Sequence, residues 1–199
     1  VLAECIRNHP STALLLKVSS HRAIELVFKY WLRHYDSLPD GVIVEGPLAG
    51  GHLGFTREVL LESPPELEDI VAKSLEVTRK YEAISGKEIP LLAAGGIFTG
   101  ADIRRFLSLG ASGALMATRF VTTHECDTHI NFKRLYVECR EEDVTIIDSP
   151  LGLPGRAIDC EFLQQVRSGA RMPLSCKWQC LQGCDVKNAP YCIARALLS

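Results

Sequence analysis

Two things are scarce in this 199-residue sequence, and each scarcity removes a class of function. The first is an excess of charge of either sign: 22 basic side chains stand against 24 acidic ones, for a formal net charge of -2. With that balance and no basic stripe, nothing draws the chain to nucleic acid or to an anionic membrane. The second is a long apolar run. The longest, such as Leu14–Leu16 and Val59–Leu61, fall far short of the roughly 20 residues of a membrane-spanning helix. No basic-then-apolar leader, low-complexity tract or fine internal repeat stands out. The chain opens at Val1, and residues 1–10 read like the interior of a domain, as in a piece of a longer protein.

What is present is enough apolar material for one real core, 47% of the residues. There are also eight cysteines. In a long, periodic, Leu- and Ala-rich chain they read as reduced thiols of a cytoplasmic protein rather than as a disulfide framework.

From Ser11 two kinds of segment alternate. Thr12–Val18 is an apolar run of strand length, followed by a helical stretch with Ala23, Leu26, Val27, Tyr30 and Trp31 on one stripe and Ser19 or Ser20 as its N-cap. Gly41–Gly46 is the second strand. A helix starting near Pro65 carries the inner stripe Ile70, Val71, Ser74, Leu75, Thr78 and Tyr81. Ile89–Gly96 is the third strand. The next helix opens with a Thr99/Asp102 capping-box variant and stops at Gly110. Ser112–Phe120 reads as the fourth strand, "INFKRLYVECREED" as a helix, "VTIIDS" as extended and "PLGLPGRA" as a loop. Strands buried on both faces and joined by helices predict a parallel α/β sheet. It closes either as a doubly wound sheet or as an eight-stranded barrel of which about four βα units are present.

In both architectures ligands bind at the carboxyl ends of the strands, where this chain places "EGPLAGGH", "AAGGIFTG" and "MATRF". Gly95 and Gly96 permit close backbone approach, and the helix after them can aim N–H groups at a phosphate. Thr118 adds a hydroxyl nearby. The same glycine pair also suits a plain tight βα turn. His52 is the one group here that exchanges a proton near neutral pH without a large shift, and Gly50 and Gly51 leave room for a flat ligand beside it. It reads either as a catalytic base or as a surface histidine. Glu45 is a partner for His52 or for an arginine. His9, His21, His34, His124 and His129 lack such a setting and read as solvated or structural.

Taken together, "VEGPLAGGHLGF", "IPLLAAGGIFTGADIRRFLSLGASGALMATRF" and "SPLGLPGRAI" resemble the nitronate monooxygenases, in the superfamily that also holds the FMN-dependent enoyl-acyl-carrier-protein reductases. The resemblance runs from about Ser11 to the end of the chain. It implies a TIM barrel with non-covalent FMN, residues 1–150 supplying its second half and 151–199 a loop and Cys-rich segment packed on it. It implies His52 as the catalytic residue beside the flavin, and Gly50, Gly51, Gly95, Gly96, Leu115, Met116, Ala117 and Thr118 as the flavin contacts. Leu115 stands where the family usually has glutamine. Ala117 replaces a usual glycine, with crowding of the phosphate, or strain at a positive φ, as the expected consequence.

The tail "CKWQCLQGCDVKNAPYC" spaces Cys176, Cys180, Cys184 and Cys192 as C-x3-C-x3-C-x7-C. Such thiolates can hold zinc or an iron–sulfur cluster, but the spacing matches no common zinc knuckle, and structural thiols are the other reading. Three functions stand as expectations. The first is oxidation of alkyl nitronates or nitroalkanes by dioxygen to a carbonyl compound and nitrite. The second is reduction of an enoyl thioester by a nicotinamide donor. The third is a truncated, non-catalytic half-barrel. The partner is a small-molecule substrate, with homodimerisation as one way of covering exposed sheet edges.

Overall fold

Apolar strand-length runs separated by amphipathic helices pair in parallel, because each helix returns the chain to the same end of the sheet. The computed structural model describes residues 11–169, 176, 180, 182 and 184–193. In chain order it contains β1 (Leu15–Val18), α1 (His21–Tyr35), β2 (Gly41–Glu45), β3 (Gly51–His52), α2 (Arg57–Glu62) and α3 (Leu67–Ser85). Next come β4 (Leu91–Ala94), α4 (Gly100–Leu109), β5 (Gly113–Leu115), α5 (Thr118–Val121) and α6 (Ile130–Glu138). After a 3-10 turn at Glu141–Asp143 come β6 (Val144–Asp148), β7 (Pro154–Ile158) and α7 (Glu161–Arg167). Four strands form a parallel sheet in the order β1-β2-β4-β5, and three form an antiparallel sheet in the order β3-β7-β6.

Register decides which side chains meet the helices. Leu16 and Val18 pair with Val42 and Val44, which pair in turn with Leu91 and Ala93. This row packs against Ile24 and Phe28 of α1 and Val71 and Leu75 of α3 in one core. Phe28 meets Tyr81 edge to face, 5.3 Å between ring centroids. The opposite face carries Leu15, Lys17, Ile43, Glu45, Leu92, Ala94 and Leu115, with Lys17 and Glu45 paired as ions. A parallel sheet with helices on one face and the other face open is half of a (β/α)8 barrel. Among the described residues no helix is long and apolar enough to cross a membrane.

Much of the pattern is realised. All six stripe residues of α3 are buried. Ser20 caps α1 by accepting from Ala23 N–H at 3.2 Å, and Thr99 with Asp102 forms a capping box on α4. Gly110 ends α4 at φ 108°.

Several expectations are corrected. The buried residues of α1 are Ile24 and Phe28, whereas Leu26 and Tyr30 of the expected stripe face solvent. Two stripes of helical period overlap in that segment, and the sheet takes the one with the larger i, i+4 apolar pair. Pro64 and Pro65 precede α3 rather than opening it, and the separate α2 escapes notice because Val59, Leu60 and Leu61 are adjacent and only Leu60 is buried. The fourth strand stops at Leu115. Its ladder partner β4 ends at Ala94, opposite Leu115, so Met116 onward has no neighbour to pair with and the chain turns into α5. "PLGLPGRA" is not a loop throughout: residues 154–158 form β7, which pairs with β6 across a turn at 149–153.

Asp40 fastens the start of β1. Its carboxylate accepts from Leu14 N–H and Lys87 Nζ, each at 2.7 Å. The Lys87 bond first and the Leu14 bond second hold its pKa below the ordinary aspartate value. A carboxyl depressed on folding stabilises at neutral pH, and that contribution disappears as pH falls through the depressed value. Asp40→Asn is therefore expected to be less stable than the parent at pH 7 and to converge with it in acid, read from urea unfolding at each pH.

Ser74 is wholly buried and its Oγ has no partner among the described residues. An unsatisfied buried hydroxyl costs about 1–3 kcal/mol. Ser74→Ala is expected to raise stability by about 1 kcal/mol, seen as a higher urea midpoint at unchanged slope. A lower midpoint would mean that the hydroxyl has a partner.

Candidate functional site

The site begins where β2 ends. Gly46 N–H donates to Ala94 O at 2.9 Å, and Ala49 N–H turns back to Gly46 O at 3.2 Å. This lays residues 46–49 across the end of β4, where Gly95 and Gly96 hold φ of 95° and 75°. A Cβ on Gly95 would stand 3.0 Å from Ala49 N, and one on Gly96 2.9 Å from Leu48 Cδ1. Both the left-handed φ and the close approach demand glycine. The two glycine-rich motifs are therefore in direct contact. Gly50 and Gly51 behave differently: a Cβ on either would meet open space.

Past them the chain enters the antiparallel sheet. Gly51 pairs with Arg156 and His52 with Gly155. His52 Nε2 lies 2.6 Å from Ser149 Oγ. Ser149 is buried, and its Oγ already accepts Leu151 N–H at 3.0 Å. Its oxygen keeps a second lone pair and its own proton, so Oγ accepts from Nε2–H in one tautomer of neutral His52 and donates to Nε2 in the other. Ser149 opens the "SPLGLPGRAI" motif, yet nothing in the sequence pairs it with a residue 97 positions away. Among the described residues Glu45 partners neither His52 nor an arginine, because Lys17 on β1 takes it. His129 caps α6 through Nδ1, which accepts from Asn131 N–H at 3.2 Å.

Arg156 makes a second tie between the β6–β7 hairpin and the loop carrying His52. It donates to Pro47 O at 3.0 Å, while its Nε–H is buried with no acceptor among the described residues. Burial lowers its pKa, but a guanidinium stays charged. On the His52 side of the hairpin lies a cavity of about 460 Å³ bounded by α6, β7, α7 and Tyr191.

At the other end of the loop, the Asp102 carboxylate takes the N–H groups of Phe98 (3.2 Å) and Thr99 (2.8 Å) and sits 3.6 Å from Arg105. The N–H groups of Gly95, Gly96, Gly100 and Ala101 keep no backbone acceptor among the described residues. Leu115 ends the neighbouring strand opposite Ala94, and Met116, Ala117 and Thr118 follow it into α5. These free donors, on a partly exposed edge, fit an anionic group such as a flavin phosphate. The expected strain at Ala117 is absent, since its φ is -126°. Any cost of that alanine is confined to its Cβ.

Cys180 is exposed, and Cys176, Cys184 and Cys192 are half-buried. Burial, and then the proximity of the other three thiols, pushes the Cys184 thiol up. Among the described residues no group of three or more His, Cys, Asp or Glu side chains is arranged to hold a metal ion. Residues 1–10, which include His9, and residues 170–175, 177–179, 181, 183 and 194–199 lie outside the described residues.

Parallel βα units with a ligand edge at the carboxyl ends of the strands define a barrel-type α/β enzyme fold. The family profile described as nitronate monooxygenase matches residues 5–198, and the chain belongs to that family. It is 30% identical over 132 residues to a dehydrogenase of Mycobacterium tuberculosis whose substrate is (3aS,4S,5R,7aS)-5-hydroxy-7a-methyl-1-oxo-octahydro-1H-indene-4-carboxyl-CoA. That match covers 66% of this chain and 33% of the relative. It is 31% identical over 127 residues to a probable nitronate monooxygenase of Staphylococcus saprophyticus, covering 64% and 34%. Among solved structures, FabK from Thermotoga maritima superposes with a TM-score of 0.62 at 26% identity, over 83% of this chain and 46% of that one. A nitroalkane oxidase from Streptomyces ansochromogenes gives 0.61 at 25% identity, over 82% and 44%. The chain thus spans a third to a half of the length of these relatives.

Gly95→Ala is expected to cost about 1–2 kcal/mol from its left-handed backbone alone, with more from the clash against Ala49. Ala117→Gly, at an ordinary φ, should change stability by less. Urea unfolding of the two variants side by side checks the contrast.

Proposed function

We propose that the protein is a flavin-dependent oxidoreductase of nitronate monooxygenase type, converting alkyl nitronates or nitroalkanes with dioxygen to a carbonyl compound and nitrite. The observation that carries this reading is the His52–Ser149 pair at 2.6 Å, beside an apolar cavity and on a loop that also covers Gly95 and Gly96. Carbon acids need a base held in a fixed orientation, and a histidine oriented by a buried hydroxyl meets that need. With the ring proton on Nε2 and given to Ser149 Oγ, Nδ1 carries the free lone pair; it takes the proton from the carbon bearing the nitro group, and the C–H electron pair stays on the substrate as the nitronate. Ser149 Oγ, keeping its bond from Leu151 N–H, accepts from Nε2–H before and after the transfer and so fixes the ring while it becomes charged.

FMN, in this reading, would be held at its phosphate by the backbone N–H groups of Gly95 and Gly96 and by Thr118, and elsewhere by Gly50, Gly51, Leu115, Met116 and Ala117. Once bound, it would supply electron transfer from the substrate to dioxygen. Arg156 keeps the 47–52 loop against the hairpin, so that His52 stays in register with Gly155.

The likeness to FabK and to a CoA-thioester dehydrogenase favours one second reading, reduction of an enoyl thioester by a nicotinamide donor. Nitrite release from a nitroalkane, against NAD(P)H oxidation driven by an enoyl thioester, separates the two.

The first test is the visible spectrum of the purified chain with added FMN, and then nitrite release. Flavin bands that co-purify, with nitrite formed, support the proposal. His52→Ala is then expected to slow proton abstraction about 100-fold or more, and Ser149→Ala to lower kcat more than it changes KM while FMN stays bound. A colourless chain that takes up no FMN would leave only the fold.

A further inference from the structure

The cavity beside His52 is too large and too apolar for a small nitroalkane. Its volume is about 460 Å³, within the roughly 300–1,000 Å³ of sites that enclose drug-sized ligands. Phe132 and Leu135 of α6 face Ile147, Ile158 and Phe162 across it. Among the described residues no Asp, Glu or Lys lines it, and the one arginine, Arg156, directs a guanidinium N–H to Pro47. Helix α6 buries none of its residues, and Phe132 and Leu135 are 45% and 41% exposed. Apolar side chains in that position gain most from a ligand that covers them. A nitroalkane of two or three carbons would reach His52 and leave this wall in contact with water.

We propose that the substrate carries an apolar body of about eight or more carbons, as a long chain or fused rings, that lies between α6 and β7, with its polar, reacting end at His52 and Ser149. The placement of that end rests on the proposed nitronate chemistry; the apolar body does not. Specificity then resides in Leu135, Ala157 and their neighbours, which select for length and girth rather than for charge.

Calorimetric titration of the 199-residue chain with butan-1-ol, hexan-1-ol and decan-1-ol tests the cavity without any turnover. Each methylene removed from water is expected to tighten binding about three- to fourfold, at one site and with a negative heat-capacity change. Ala157→Phe, which fills the cavity, and Leu135→Asp, on a half-exposed helix face where folding is safe, should each weaken decan-1-ol at least tenfold. Affinity that does not grow with length, or growth that survives both variants, overturns the proposal. In turnover, kcat/KM for the anion of 1-nitrodecane should exceed that for nitroethane by more than tenfold, and the ratio should collapse in Leu135→Asp. Length-graded binding without nitrite from either nitroalkane would sink the proposed reaction and leave the cavity's preference standing.

Discussion

The arrangement depends on one close approach, that of the 46–49 loop to the end of β4. A parallel strand must hand its chain to a helix, and at Gly95–Gly96 it does so through two left-handed residues with no Cβ. The space left is taken by Ala49 and Leu48. Had either glycine been an ordinary residue, the loop would stand off by the width of a methyl group. The sheet end would then lose the Gly46 N–H to Ala94 O bond that seals it. His52 lies three residues beyond Ala49, so its position is inherited from that contact.

Beyond the loop, the chain is held less by burial than by a few directed bonds. Leu53 N–H donates to Pro154 O at 2.9 Å, Arg156 returns to Pro47 O, and Ser149 meets His52. Each such bond contributes on the order of 1 kcal/mol net. The hairpin also brings Ile146 against Ala49, Leu53 and Leu60 in a small second core. Phe55, just past His52, packs against both this core and the one under the parallel sheet, so the two meet through the segment that follows the loop. A histidine held in this way is well oriented while its surroundings keep the freedom that substrate entry requires.

Local signals in the sequence were those that obey one period or one cap. The α3 stripe from Ile70 to Tyr81, the Ser20 and Thr99 caps and the Gly110 stop depend only on residues a few positions apart, and the structure realises all of them. The identity of the loops that would gather at one edge was legible too, because strand ends in parallel sheets point the same way. Less legible was whatever depends on a distant partner. Gly155 and Pro154 look like turn residues, and only Gly51 and His52 across the ladder make them a strand. Ser149 looks like the start of a loop until the histidine 97 residues earlier is beside it. Met116 and Ala117 look like strand continuation, and what stops them is the end of β4, a fact about another segment. Glu45 invited a partner at its own strand end and found Lys17 one strand over.

The open face of the parallel sheet bears on how far the site depends on anything beyond these residues. That face carries exposed Leu15 and Leu115 with the Lys17–Glu45 ion pair between them. Glu45 is only 7% exposed, and a buried carboxylate is tolerated because its cation lies on the adjacent strand. The pair leaves the face electrically neutral, so closing the sheet would require apolar cover and no further charge. Such cover would meet the inner row, whereas the loops at the strand ends are tied from the other direction, by the β6–β7 hairpin. The bonds that orient His52, place Ser149 and anchor Arg156 all run between residues 46 and 156. Covering the barrel face can therefore change how tightly a flat ligand is enclosed, but the orientation of the histidine is set locally.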